Sequence, residues 1–227
     1  MEKNFIFTKE NLLFDTAIVE KSLIEFDNIY QENIDDNIHT NFLDLRIDDI
    51  IKIPLFFSLL SRIQKKFELI TGYDDLSFEK LWLVSSSSND TNKNTLPYIP
   101  HIDKRRYLKA MVYLHDVNLE HGPIHLGQAK KNINIEQKRK RLPHDYKEKG
   151  LNTINDKDID GILTPILGKA GDVIFFDTNT PHKAGIIKDS YHRKVLRFDF
   201  ERPCFNLKPS MLNNIMTTIT KKLKKDI

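Results

Sequence analysis

The sequence predicts one mainly β domain with helical additions, and three features predict it. From Glu79 onward, apolar residues fall in short extended runs separated by turn-forming residues. Ahead of that point they recur at helical spacing. At 227 residues and 40% hydrophobic content, the chain can bury a substantial core with no second domain. The expected layout is a helical part over about 1–78, a β core over about 79–203 and a C-terminal helix over about 208–225.

Leu12 to Phe26 reads as a first, less regular apolar helix. Leu55, Phe56, Leu59, Leu60, Ile63, Phe67 and Ile70 form a cleaner stripe that begins after Pro54 and stops at Thr71-Gly72, which predicts a helix covering the outside of the β core. Lys80-Leu-Trp-Leu-Val84 opens the extended part. The Ser-, Asn-, Asp- and Thr-rich stretch from Ser85 to Leu96 is a flexible connection into Pro97-Tyr-Ile-Pro-His101. Runs near 80, 98, 108, 124, 163, 173, 184 and 194 give about eight strands, the number of a double-stranded β-helix, the jelly roll shared with cupins. Asn132 to Asp160 interrupts them with a charged insertion carrying Lys130, Lys131, Lys138, Arg139, Lys140 and Arg141 within or just before it. It reads as a solvated helix face or as a mobile lid meeting an anionic substrate. Leu212, Ile215, Met216, Ile219 and Leu223 form a final stripe opposite four lysines, suited to docking on the core or on a second subunit.

The chemistry sits in the β part. In an extended strand, residues two apart share a face, so His101 and Asp103 aim an imidazole and a carboxylate into one space. Gly171-Asp-Val-Ile-Phe-Phe-Asp177 reads as a turn and a buried strand, and Thr178-Asn-Thr-Pro181 then delivers His182 to the strand mouth. Two histidines and one carboxylate leave open positions on an octahedral Fe(II). Arg193 follows eleven residues after His182 and opens a strand whose faces separate into Leu196, Phe198 and Phe200 against Arg193, Val195, Arg197 and Asp199. A strand turns such a polar set inward only toward a cavity containing charge, and a guanidinium grips a carboxylate at two points. Lys109, Met111 and Tyr113 share one face of another strand by the same alternation, while Tyr98 and His125 are candidate substrate contacts.

These residues carry a resemblance to the Fe(II)/2-oxoglutarate-dependent dioxygenases, and within them to the phytanoyl-CoA dioxygenase-like group. The stretch Tyr107 to Gly127 resembles that group's long strand, acidic turn and return. Gly168-Lys-Ala-Gly-Asp-Val-Ile-Phe-Phe-Asp177 resembles the strand before its second histidine, and Arg193 stands at the spacing of its cosubstrate arginine. The resemblance implies iron held by His101, Asp103 and His182, and 2-oxoglutarate held by Arg193 with Lys109, Met111 and Tyr113 lining its pocket. It further implies O2 as co-reactant and hydroxylation of a small-molecule C–H bond with release of succinate and CO2. Gln128-Ala-Lys-Lys131, Ala184 and Met111 depart from the group's common pattern, and a carboxylate at Asp103 disfavours halogenation.

Composition limits the alternatives. With 35 basic and 32 acidic residues the net charge is only +3, too mild to imply nucleic acid. The single cysteine, Cys204, forms no internal disulfide and suits a reducing, cytoplasmic setting; no apolar run suggests a membrane span or signal peptide. The expected protein is a monomer or homodimer acting on a small, in one reading anionic, molecule. A 2-oxoglutarate-binding sensor and a cupin-like metal-binding protein, both without turnover, are the competing readings.

Overall fold

The computed structural model describes residues 7–33, 40–88, 96–147 and 149–205, so the helix expected over about 208–225 lies outside the described residues. In chain order the elements are β1 (Phe7–Glu10), α1 (Thr16–Asn33), β2 (Thr40–Leu45), α2 (Ile47–Ile50), α3 (Pro54–Thr71), β3 (Ser77–Ser87), β4 (Leu108–Tyr113) and β5 (Ile124–Ala129). They continue with α4 (Ile135–Lys140), β6 (Ile159–Pro165), β7 (Val173–Asp177), β8 (His182–Ala184) and β9 (His192–Glu201). Two antiparallel sheets result, one in the order β1-β7-β4-β9-β3-β2 and one in the order β6-β5-β8. Val84, Met111, Tyr113, Ile174, Phe176 and Val195 of the larger sheet share a buried cluster with Ile124 and Leu126 of the smaller one. The fold is the expected jelly roll.

The larger sheet has a second apolar face, which α3 covers. Pro54 starts this helix where its missing N–H is not needed, and Gly72, at φ 72°, ends it by donating to Glu68 O at 2.8 Å. Phe56, Leu59, Leu60, Ile63 and Phe67 are buried along one side and meet Leu81, Leu83, Ala110, Phe175, Phe198 and Phe200. The alternation of β9 is what separates the layers. Leu196, Phe198 and Phe200 face the helix, while Arg193, Val195 and Arg197 line the space between the sheets. Phe67 packs edge-on against Phe175 and Phe200, with ring centroids 4.7 and 5.4 Å apart. Phe67→Ala should therefore lower the unfolding free energy by about 3–5 kcal/mol in urea denaturation.

Three expectations need correction. The region over 1–78 is not simply helical, because β1 and β2 add strands to the two edges of the larger sheet. An edge strand half open to solvent shows no apolar alternation, as the pattern of β1 illustrates. The first helix starts at Thr16 rather than Leu12, with the Asp15 carboxylate accepting from Ile18 N at 2.9 Å, and runs on to Asn33. The run near 98 is a turn, since Pro97 and Pro100 lack ladder donors; His101 alone forms isolated bridges there. No helix among the described residues is long and apolar enough to cross a membrane.

Candidate active site

The site forms where the His-Ile-Asp triplet pairs with β8. His101 N donates to His182 O at 2.9 Å, and His182 N donates to His101 O at 3.1 Å, which sets the two histidines side by side with ring centroids 4.4 Å apart. Alternation sends His101 and Asp103 into the space between the sheets. Ile102 points the other way and is fully buried in a cluster with Ile135, Ile154 and Ile159. The turn before His182 is closed by Thr180 N donating to Asp177 O at 2.8 Å. The Asp177 carboxylate is fixed in turn by Arg106, whose Nη2 lies 2.6 Å from Oδ2.

Ligand atoms of His101, Asp103 and His182 all lie within 4.8 Å of one another, the one such group of three found among the described residues. His101 Nδ1 is 2.8 Å from Ile99 O, and His182 Nδ1 is 2.9 Å from Thr180 O. A carbonyl oxygen only accepts, so each Nδ1 carries a proton, which leaves Nε2 as the nitrogen each ring offers a metal. Burial, with His182 adding to it, lowers the His101 pKa to about 3, so this imidazole is neutral at physiological pH. Burial opposes the charge on Asp103, but the Lys109 ammonium, then His182 and His101, outweigh it and hold the carboxyl well below its ordinary range. Asp103 Oδ1 faces His182 Nε2 at 3.7 Å, and Oδ2 lies 2.5 Å from Lys109 Nζ.

Arg193 shares the cavity, of about 130 Å³, with the triad. It is 6% exposed, and its Nε and Nη1 are buried with no hydrogen-bond partner. Burial pulls its pKa down. A guanidinium kept in this state lacks an anion, and a carboxylate held at two points is the group it fits. The donor set, two imidazoles and one carboxylate on one side of a cavity, suits a divalent ion such as Fe(II). The residues present therefore fit both iron and a diacid.

The other expected contacts divide. Lys109, Met111 and Tyr98 line the cavity together with the triad and Arg193. Tyr113 does not; its ring is fully buried between the sheets and its hydroxyl donates to Ile166 O at 2.7 Å, so its one donor is not free for a cosubstrate carboxylate. His125 is also absent from the lining. Its strand neighbour Ile124 takes the inward place, and its Nδ1 lies 3.0 Å from Pro123 O. The sequence reading missed Phe42, Phe176 and Lys183, which also line the cavity, and the contact between Lys109 and Asp103. The six-residue spacing gives that contact no local signal, because a turn between the two brings them together. Of the charged insertion, Arg139 is buried rather than solvated, at 4% exposure.

Residues 91–195 match the family model described as phytanoyl-CoA dioxygenase, a stretch that includes the motifs of the resemblance. No curated protein matches the chain. HygX from Streptomyces hygroscopicus, solved with nickel and 2-oxoglutarate bound, is similar in fold: 15% identical, covering 88% of this chain and 84% of that one, with a TM-score of 0.60. The alpha-ketoglutarate-dependent epimerase SnoN from nogalamycin biosynthesis is 16% identical over 87% of this chain and 78% of its own, with a TM-score of 0.59. A prolyl-4-hydroxylase from Pseudomonas putida is 13% identical over 88% and 94%, with a TM-score of 0.54. At these identities the likeness to the solved structures is one of fold.

Proposed function

We propose that this chain, a member of the phytanoyl-CoA dioxygenase-like group through residues 91–195, is an Fe(II)- and 2-oxoglutarate-dependent oxygenase that hydroxylates a C–H bond of a small molecule. The observation that carries the reading is the orphaned Arg193 guanidinium in the same cavity as His101, Asp103 and His182. A metal site serving structure alone has no use for a buried, unpaired cation beside it.

In this reading His101, Asp103 and His182 would hold the iron, and Arg193 would pair with the far carboxylate of 2-oxoglutarate. Ferrous iron with 2-oxoglutarate and O2, when bound, supplies the oxidising power for C–H cleavage, with succinate and CO2 released. The protein's own contribution is placement. Lys109 occupies Asp103 Oδ2 and leaves Oδ1, the oxygen nearer His182, for the metal. Met111, Ile124, Phe176 and Val195 supply apolar walls that limit water around the reacting groups. The cavity volume is small, so we place the substrate at its mouth near Phe42, Tyr98 and Arg197, with the cosubstrate inside.

The experiment is a turnover assay with Fe(II), ascorbate, O2 and 2-oxoglutarate in the presence of fractionated metabolite extract. The expected result is succinate released in step with a product heavier by one oxygen atom. 2-Oxoglutarate binding with no succinate in any fraction would favour the sensor. A product of unchanged mass formed together with succinate would point to epimerisation.

A further inference from the structure

We propose that the insertion between β5 and β6 is a strap that sets the geometry of the metal-binding triplet, and that Arg139 is its positioning residue. The proposal rests on reading His101, Asp103 and His182 as metal ligands.

The His-Ile-Asp segment is paired along both edges. On one edge it meets His182. On the other it meets the returning limb of the insertion: Ile102 N donates to Asn152 O at 3.0 Å, Asn152 Nδ2 donates back to Ile102 O at 3.0 Å, and Ile154 N donates to Pro100 O at 2.8 Å. His101 thus bridges to His182 on one side and to Thr153 of the insertion on the other. The apolar cluster of Ile102, Ile135, Ile154 and Ile159 seats the strap from below.

Arg139 joins the two ligand-bearing segments through one planar group. Its Nε donates to Asp103 O at 2.9 Å and its Nη2 to Thr178 O at 3.0 Å, while Nη1 reaches Asn179 Oδ1 and, at 2.7 Å, Glu136 Oε1. Asp103 is a ligand, and Thr178-Asn179 opens the turn that carries His182. Guanidinium donors lie in a fixed plane, so these bonds fix the spacing between the two segments in a way that a single ammonium cannot. Burying a guanidinium is expensive, and an apolar side chain would fill the stripe between Ile135 and Leu142 at less cost. What the arginine adds is the link. The insertion accordingly supports the ligand-bearing segments from outside the cavity, with Arg139 turned inward while Gln137 and Lys140 of the same helix stay exposed.

The test uses the metal-free full chain, with Arg139→Met to remove the donors, Arg139→Lys to keep only the charge, and exposed Lys140→Ala as control. Hydrogen–deuterium exchange should rise in Arg139→Met over 100–104 and 178–183 while α3 stays as protected as in the wild type. Titration with Ni(II) should show affinity about ten- to a hundredfold weaker in Arg139→Met, a partial recovery in Arg139→Lys and no change in Lys140→Ala. Unchanged exchange at both segments, a uniform rise across the chain, or wild-type Ni(II) affinity in Arg139→Met would each overturn the proposal. If Arg139→Met does not fold, the same two measurements on Arg139→Lys decide it by the same outcomes. Failure of the wild type to bind Ni(II) would instead remove the metal-site reading, and the exchange pattern would still decide whether Arg139 ties the segments together.

Discussion

Asp103→Ala is expected to abolish metal binding and also to destabilise the metal-free protein. Loss of a direct ligand should weaken Ni(II) or Fe(II) affinity by more than about a hundredfold, since loss of groups that merely support a ligand already weakens it ten- to a hundredfold. The stability effect comes from Lys109. Its side chain is 7% exposed, and its ammonium sits 2.5 Å from Asp103 Oδ2, so removing the carboxylate strands a buried charge. Breaking such a pair from one side costs about 3–5 kcal/mol, and the partial exposure of Asp103 puts this case at the lower end. The double variant Asp103→Ala/Lys109→Met removes both charges and should recover most of the lost stability without recovering metal. Thermal denaturation of both variants, with and without Ni(II), checks this. Wild-type metal affinity in Asp103→Ala would remove the carboxylate from the ligand set, and a double variant no more stable than the single one would mean that Lys109 is not what destabilises it.

The parts of this molecule that were legible in the sequence are those whose signals are local. Helix α3 announces itself by Pro54, Gly72 and a stripe of apolar residues between them, and β9 by an alternation that separates phenylalanines from arginines. The triplet at 101–103 was legible for the same reason, because period two puts His101 and Asp103 on one face whatever lies around them. What was hidden depends on partners far along the chain. β1 and β2 exist because β7 and β3 offer open edges, which their own residues do not record. Tyr113 faces inward as alternation requires, yet its ring reaches past the cavity to Ile166 O, an endpoint that no pattern within β4 encodes.

Arg139 shows the limit most clearly. In the run Glu136-Gln-Lys-Arg-Lys-Arg141 it looks like one more solvated cation, and apart from Glu136 the groups that hold it, Asp103 O and the Thr178-Asn179 turn, are more than thirty residues away. One signal was available. Ile135, Arg139 and Leu142 fall at helical spacing, and all three are buried, so the arginine stands in the middle of an apolar stripe. A cation at such a position must bring its partners into the core or stay out of it.

Arg193 and Arg197 should respond to substitution with opposite signs, which makes them the sharpest test of the cosubstrate assignment. They share a face of β9 and both line the cavity, so their positions alone do not choose between them. Their partners do. Arg197 Nε and Nη2 meet Asp199 Oδ1 and Oδ2 at 3.0 and 3.1 Å, Trp82 Nε1 adds a bond to the same carboxylate at 2.9 Å, and the guanidinium lies 5.0 Å from the Trp82 ring centroid. Its charge is already answered. Arg193 is more deeply buried than Arg197, and its Nε and Nη1 have no such answer. Arg193→Met should therefore raise the melting temperature of the ligand-free protein, because a buried unpaired cation is replaced by an apolar chain of similar length. The same change should weaken 2-oxoglutarate binding about a hundred- to a thousandfold, the equivalent of losing one side of a buried charge pair. Arg193→Lys should restore only part of it, since an ammonium lacks the two-point grip. Arg197→Met should do the reverse: it leaves Asp199, 1% exposed, without its ion-pair partner, so the protein loses stability while the diacid binds much as before. Calorimetric titration of 2-oxoglutarate into the Ni(II)-loaded proteins, set beside their ligand-free melting curves, reads both signs at once. A large affinity loss in Arg197→Met with none in Arg193→Met would move the carboxylate clamp four residues along β9 and leave the orphaned guanidinium of Arg193 to another anion.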